Sequence, residues 1–159
     1  MTLKLGHINN RAVEYLDVKE DLTNLTPIVL NNWVLFAIAD KEQLPALYKF
    51  AEVCLDNNVL YVCGVGESAA EIDLKFDSVI VNRKIDIGEW PNNIKAFEDT
   101  PMTTFHSDFD EGFWFSAFVA AHPILTIESV LVANLTHRNY LNRIIELIDK
   151  INSGWLPPD

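Results

Sequence analysis

Trp33-Val34-Leu35-Phe36-Ala37-Ile38-Ala39 is an unbroken apolar run that ends at Asp40. Successive side chains of a strand point to opposite faces, so a strand apolar at every position is covered on both sides. Strands of that kind lie inside parallel sheets, whose two faces are packed by helices. The next segment has a different period. Leu44, Leu47, Tyr48, Ala51 and Leu55 recur at threes and fours, while Glu42, Lys49, Glu52 and Asp56 take the other face. This spacing predicts an amphipathic helix over 42–57. Pro45 is tolerated only in a first turn and so marks its start. Asn57-Asn58 ends it, and Val59–Cys63 reads as a second strand of the same kind, stopped by Gly64-Val65-Gly66.

Working outward, residues 67–76 read as a short helix and Ser78-Val79-Ile80-Val81 as a third strand. Met102–His106 reads as a fourth strand and Ser129–Asn134 as a fifth. Ser107, Asp108, Asp110 and Glu111 have the spacing of a capping box, which opens a helix that runs to about Ala121 and stops ahead of Pro123. Thr136 is the expected cap of a last helix over 137–152, with Leu141, Ile144, Ile145, Ile148 and Ile151 as its apolar stripe. Between these elements, 84–101 is punctuated by Gly88, Pro91 and Pro101, with one helical turn expected over 91–97. Weak alternation at Val13, Tyr15 and Leu16 makes 1–31 an N-terminal arm or extra strand, and 153–159 is a C-terminal tail.

Strands alternating with helices predict a three-layer α/β domain with a mainly parallel sheet of about five strands. The architecture resembles Rossmann-like and flavodoxin-like domains, with central order 3-2-1-4-5 or 2-1-3-4-5. Ile38, Val62, Ile80, Val132, Ile145 and Ile148 are the expected inaccessible residues.

The chain of 159 residues fits one domain spanning 1–159. Twelve Lys and Arg against 23 Asp and Glu leave a net charge of −11. That sign and size exclude sequence-independent nucleic-acid binding, which depends on neutralising phosphates, and docking on anionic membrane. No apolar run approaches the ~18 residues of a membrane helix. Met1–Asn10 lacks the basic-then-apolar layout of a signal peptide, so a cytoplasmic setting is expected, with Cys54 and Cys63 as reduced, buried thiols. The sequons at Asn24 and Asn134 are then chance matches. No cofactor or metal is expected from any motif.

Ligands of open parallel sheets bind beyond the carboxyl ends of the strands. That edge gathers Asp40, then Gly64, Gly66 and Glu67, then His106 and Asp108, and finally Asn134, Thr136, His137 and Arg138. Gly64-Val65-Gly66 with Ala69 partly matches a dinucleotide fingerprint. It follows the second strand, however, and Glu67 places a carboxylate where a pyrophosphate would lie. Asp40, Gly64, Gly66 and Glu67 are therefore candidate ligand contacts without a nucleotide assignment. His106 and Asp108 are the candidate catalytic pair, the imidazole as proton carrier and the carboxylate orienting it and raising its pKa. No serine sits in a nucleophile elbow.

Two long-range patterns point to binding instead. No Lys or Arg lies between Lys95 and Arg138, a span that holds Glu98, Asp99, Asp108, Asp110, Glu111 and Glu128. Such a span projects a negative field that steers basic partners. Phe109, Phe113, Trp114, Phe115, Phe118 and Val119 crowd one helix, and residues 113, 114 and 115 point in three directions about 100° apart, more than one sheet face buries. Partial cover by residues 1–31 together with a homodimer patch is expected for the remainder. The sequence thus favours a non-catalytic interaction module, immunity-like or accessory, that engages a basic partner. The alternative is a small-molecule binder or enzyme at the C-terminal rim around His106 and Asp108.

Overall fold

The central apolar run forms a strand in the middle of the sheet. The computed structural model describes residues 2–19, 21–23, 28, 30–89 and 100–159. The helical turn expected over 91–97 and the sequon at Asn24 lie outside them. The element order is β1 (Leu3–Ile8), β2 (Arg11–Asp17), β3 (Trp33–Ile38), α1 (Leu44–Asp56), β4 (Tyr61–Val65), α2 (Ala69–Asp86), β5 (Met102–Phe105), α3 (Phe109–Phe118), β6 (Ser129–Asn134) and α4 (Leu141–Asn152), with a 3-10 turn at Lys41–Gln43. The six-stranded sheet has the order β1-β2-β6-β3-β4-β5. Among the described strands, only β1 runs antiparallel, on the outer side of β2. The other pairings, β2 with β6, β6 with β3, β3 with β4 and β4 with β5, are parallel.

The alternation of β3 assigns the two faces. Val34, Phe36 and Ile38 pack with Phe113 and Ala117 of α3 and Ile144, Leu147, Ile148 and Ile151 of α4. Trp33, Leu35 and Ala37 pack with Leu47, Phe50 and Cys54 of α1 and Ile72, Phe76 and Val79 of α2. Three layers result. Their arrangement follows from right-handed crossovers. The chain steps from β3 to β4 to β5 in one direction, which puts α1 and α2 on one face. It then steps back past β3 to β6, which puts α3 on the other.

Four expectations need correction. Ser78–Val81 is not a strand but the middle of α2. Ile72, Phe76, Val79 and Ile80 are buried at helical spacing, and no breaker interrupts the chain between Glu67 and Val81. Neither expected strand order occurs in full, because that strand is absent and the N-terminal region supplies two, β1 and β2. Ile145 is 40% exposed, and Leu147 takes its place in the buried stripe. Likewise Tyr48 of α1 is exposed, and Phe50 and Cys54 complete the buried face.

Ile148 is buried among α4 and sheet residues. Ile148→Ala is expected to cost about 2–5 kcal/mol in urea unfolding, and Ile145→Ala no more than about 1 kcal/mol. Equal costs would contradict this packing of α4.

Candidate functional site

The strand order reverses at β3. β4 and β5 lie to one side of it, β6 and β2 to the other. A crevice opens where such a reversal separates the loops at the carboxyl ends of adjacent strands. One lies here. Val18, Lys19 and Leu22 after β2, Glu42, Pro45 and Ala46 at the start of α1, and Leu135, Thr136 and His137 after β6 enclose about 570 Å³. That volume is in the range of small-molecule sites. The Nε2 of His137 lies 3.5 Å from a carboxylate oxygen of Glu42, so an ion pair is available across the crevice once the imidazole is protonated.

One side chain holds the β6 wall. Asn134 is buried at the end of β6, beside Asp17 at the end of β2. Its two amide N–H groups face three acceptors, Asp17 Oδ1 at 2.9 Å, the Tyr15 hydroxyl at 3.2 Å and the Arg138 carbonyl at 2.7 Å, so one N–H is shared between two of them. Its oxygen accepts from the Thr136 amide at 3.0 Å and the Thr136 hydroxyl at 2.8 Å. Tyr15 donates in turn to Asp17 Oδ1 at 2.7 Å. Burial, with Asp17 beside it, pushes the Tyr15 phenol up to about 12, so it remains a donor. The loop 135–138 is thereby tied to two strands. Tyr15 stands out in the sequence only through its alternation with Val13, and Asp17, two residues further on the same strand, is the partner that this alternation could have found. Thr136 bonds Asn134 instead of capping α4, which begins later, at Leu141.

His106 and Asp108 are near in sequence but not partnered. Asp108 is the N-cap of α3, and its Oδ1 accepts from the Glu111 amide at 2.8 Å. The His106 Nε2 lies 3.1 Å from the Thr104 hydroxyl, and its ring packs on Phe115 with centroids 4.7 Å apart. No hydrogen bond or ion pair joins the two among the described residues. The expected rise in histidine pKa is replaced by a fall: burial lowers it, against an opposing pull from Glu111. Asp108→Asn is therefore expected to leave the His106 NMR titration unchanged and to keep the cap, whereas Asp108→Ala costs about 1 kcal/mol. The lowered pKa also fixes a sign. Unfolded histidine binds its proton near ~6.5 and folded His106 only at lower pH, so its contribution to stability falls on acidification from about 6.5 down to the folded pKa. Thermal melts of the wild type and His106→Gln between about pH 7.5 and 5.5 should show a shallower decline in the variant.

The remaining rim residues have local structural partners. Asp40 Oδ1 accepts from the Glu42 amide at 3.1 Å. Glu67 pairs with Lys41 at 3.3 Å, both well exposed. Gly66 has φ +98°, and a Cβ there would run into the Ala39 carbonyl oxygen. A Cβ on Gly64 would lie 3.0 Å from the Ala69 carbonyl oxygen and 3.2 Å from Ile72. The Ser68 amide donates to the Ala39 carbonyl at 3.1 Å and the Ala69 amide to Gly66 at 3.2 Å. The turn thus uses these two amides internally where a phosphate would need them. Cys54 and Cys63 are buried, and burial raises both thiols, Cys63 to about 12, which leaves them protonated.

The aromatic surplus of α3 is distributed over its neighbours. Phe113 is buried under Phe36. Phe109 stacks on Tyr140 beneath the Arg143 guanidinium. The β1–β2 hairpin covers the far end of the helix, where Arg11 donates to the Ser116 and Ala120 carbonyls at 2.6 and 2.7 Å. Phe118 and Val119 remain exposed. Among the described residues, no group of three or more His, Cys, Asp or Glu is placed to hold a metal ion, and no helix is long and apolar enough to cross a membrane.

A family model described as a domain of unknown function, DUF7684, matches residues 13–151. The chain belongs to this family. The match begins in β2 and ends at Ile151 of α4, so the DUF7684 region holds both walls of the crevice and the Asn134 network, and leaves β1 outside. No curated protein and no solved structure matches the chain.

Proposed function

We propose that this domain is a non-catalytic binding module whose ligand seat is the crevice between the carboxyl ends of β3 and β6. The observation that carries the reading is the coincidence of that crevice with the reversal of strand order. The Rossmann-like resemblance supports it. Strands β5-β4-β3-β6 repeat the 3-2-1-4 part of that order, and β2 stands where a fifth strand would. The likeness is one of architecture and says nothing of nucleotides. The rigid wall built on Asn134 adds support, since a preorganised site loses less entropy on binding.

A basic protein partner has weaker support. Asp110, in the middle of the acidic span, lies 3.1 Å from Arg143 and 3.4 Å from Lys150, and Asp108 is committed to its helix amide. A homodimer rests on the exposed Phe118 and Val119 of α3.

A thermal-shift screen of a small-molecule library tests the reading, because a ligand that binds the native state raises the melting temperature by mass action. Compounds that stabilise the wild type should lose their effect in Ala46→Trp, which fills the crevice, and keep it in His106→Gln. The opposite pattern overturns the proposal.

A further inference from the structure

We infer that the outer edge of β5 takes up an extended segment of a partner protein in which basic and apolar residues alternate, adding a strand to the sheet. No residue of β5 or α2 lines the crevice. β5 pairs with β4 on one side and ends the sheet. The His106 amide donates to the Gly64 carbonyl at 2.9 Å, so residues 102, 104 and 106 turn their backbone groups to β4, and Thr103 and Phe105 turn theirs outward. Those N–H and C=O groups have no partner among the described residues, which makes them a template for pairing with another chain. The opposite edge, β1, is defended against such pairing. Its register slips between Lys4 and Gly6, Lys4 is exposed, and Gly6 has φ +130°. β5 carries no charge, bulge or proline, and Met102 and Phe105 are 62% and 54% exposed.

The two faces of β5 set the chemistry of the segment. On the α2 face, the Thr103 hydroxyl donates to Asp77 Oδ1 at 3.0 Å. Asp73 lies one turn earlier on α2, and its Oδ1 is buried with no hydrogen-bond partner among the described residues. Burial raises the Asp77 carboxyl, the Thr103 bond opposes the rise, and the charge of Asp73 adds to it. No Lys, Arg or His is paired with either acid among the described residues. A Lys or Arg laid beside Thr103 faces both acids and rests its hydrocarbon stem on the exposed Phe105. On the α3 face, Met102 offers an apolar neighbour to the alternate residues of the segment. A second copy of this chain fits poorly. Two β5 edges side by side bring the acids of one copy towards those of the other, and each chain carries −11.

The test is an NMR titration of the full chain, read by amide shifts and amide exchange, with three short blocked peptides. One alternates Lys with Val, one alternates Glu with Val, and one is the Lys–Val peptide with proline for its central valine, which keeps the charge and breaks the backbone pairing. The Lys–Val peptide should shift the Thr103 and Phe105 amides, slow their exchange at least tenfold at saturation, and bind at least tenfold more tightly than the other two. Asp73→Asn and Asp77→Asn should each weaken it about fivefold, with melting temperatures close to wild type. If the proline peptide binds as tightly, or Thr103 and Phe105 exchange at their free rate while shifts spread over other acidic surface, net charge alone draws the peptide and the proposal fails. Equal binding of the Glu–Val peptide, or no shift at about 1 mM Lys–Val peptide, also overturns it. Concentration-dependent protection of the same two amides without peptide makes a second copy the occupant and overturns it as well. The Thr136 and His137 amides should stay still throughout, which keeps this result separate from the test of the crevice.

Discussion

Asn134→Ala is expected to lower stability by about 2–4 kcal/mol, among the largest losses for any single polar side chain here. The asparagine is buried, its two N–H groups are shared among Asp17, Tyr15 and Arg138, and its oxygen accepts twice from Thr136. Alanine removes every partner at once and leaves the Asp17 carboxylate and the Tyr15 hydroxyl short of a donor. Urea unfolding gives the magnitude. Amide exchange locates it: residues 135–138 should lose protection well beyond the global change, because their anchor to β2 and β6 is gone. Asn134→Asp keeps the oxygen that accepts from Thr136 but sets a second carboxylate against Asp17. Its stability should therefore recover on acidification, as one of the two carboxylates takes a proton. A loss below about 0.5 kcal/mol for Asn134→Ala would mean that the crevice wall does not depend on this network.

Gly66→Ala is expected to cost about 3 kcal/mol or more, from two causes that add. The backbone sits at φ +98°, where a side chain is strained, and the new Cβ collides with the Ala39 carbonyl oxygen. That carbonyl already accepts from the Ser68 amide, so it cannot move aside without breaking the start of α2. Gly88→Ala, also at positive φ but with open space around it, isolates the strain and should cost about 1 kcal/mol. Similar losses at the two positions would remove the argument that Gly66 is needed for close approach to β3.

The strands buried on both faces were legible because their composition has no other stable reading. Trp33–Ile38 and Ser129–Asn134 are buried at every position. Val79-Ile80-Val81 misled for the same reason in reverse: a run that short is apolar in either period. What decides it is the register with Ile72 and Phe76 and the absence of a breaker. The β1–β2 hairpin had a signal in Asn9-Asn10, whose φ values of 50° and 64° suit a tight turn that needs both central residues left-handed. The strand-end rule gathers the candidate residues at the carboxyl ends of β3, β4, β5 and β6, where the element bounds have them. It did not say which strands are neighbours. The crevice exists because β6 inserts between β2 and β3, a pairing across about a hundred residues that no local pattern encodes. His106 and Asp108 stood out by chemical type, and in the structure a cap and a ring contact explain both.

The central claim is that the crevice over the strand-order reversal is where this domain holds its ligand. A crystal structure of the full chain with the most strongly stabilising compound from the thermal-shift screen tests it most directly. The account predicts that the compound lies between Lys19, Glu42 and His137, against Leu135. A compound bound instead at His106 and Asp108, or in the cavity beside Asn31, Asn58 and His122 at the opposite end of the sheet, would contradict it.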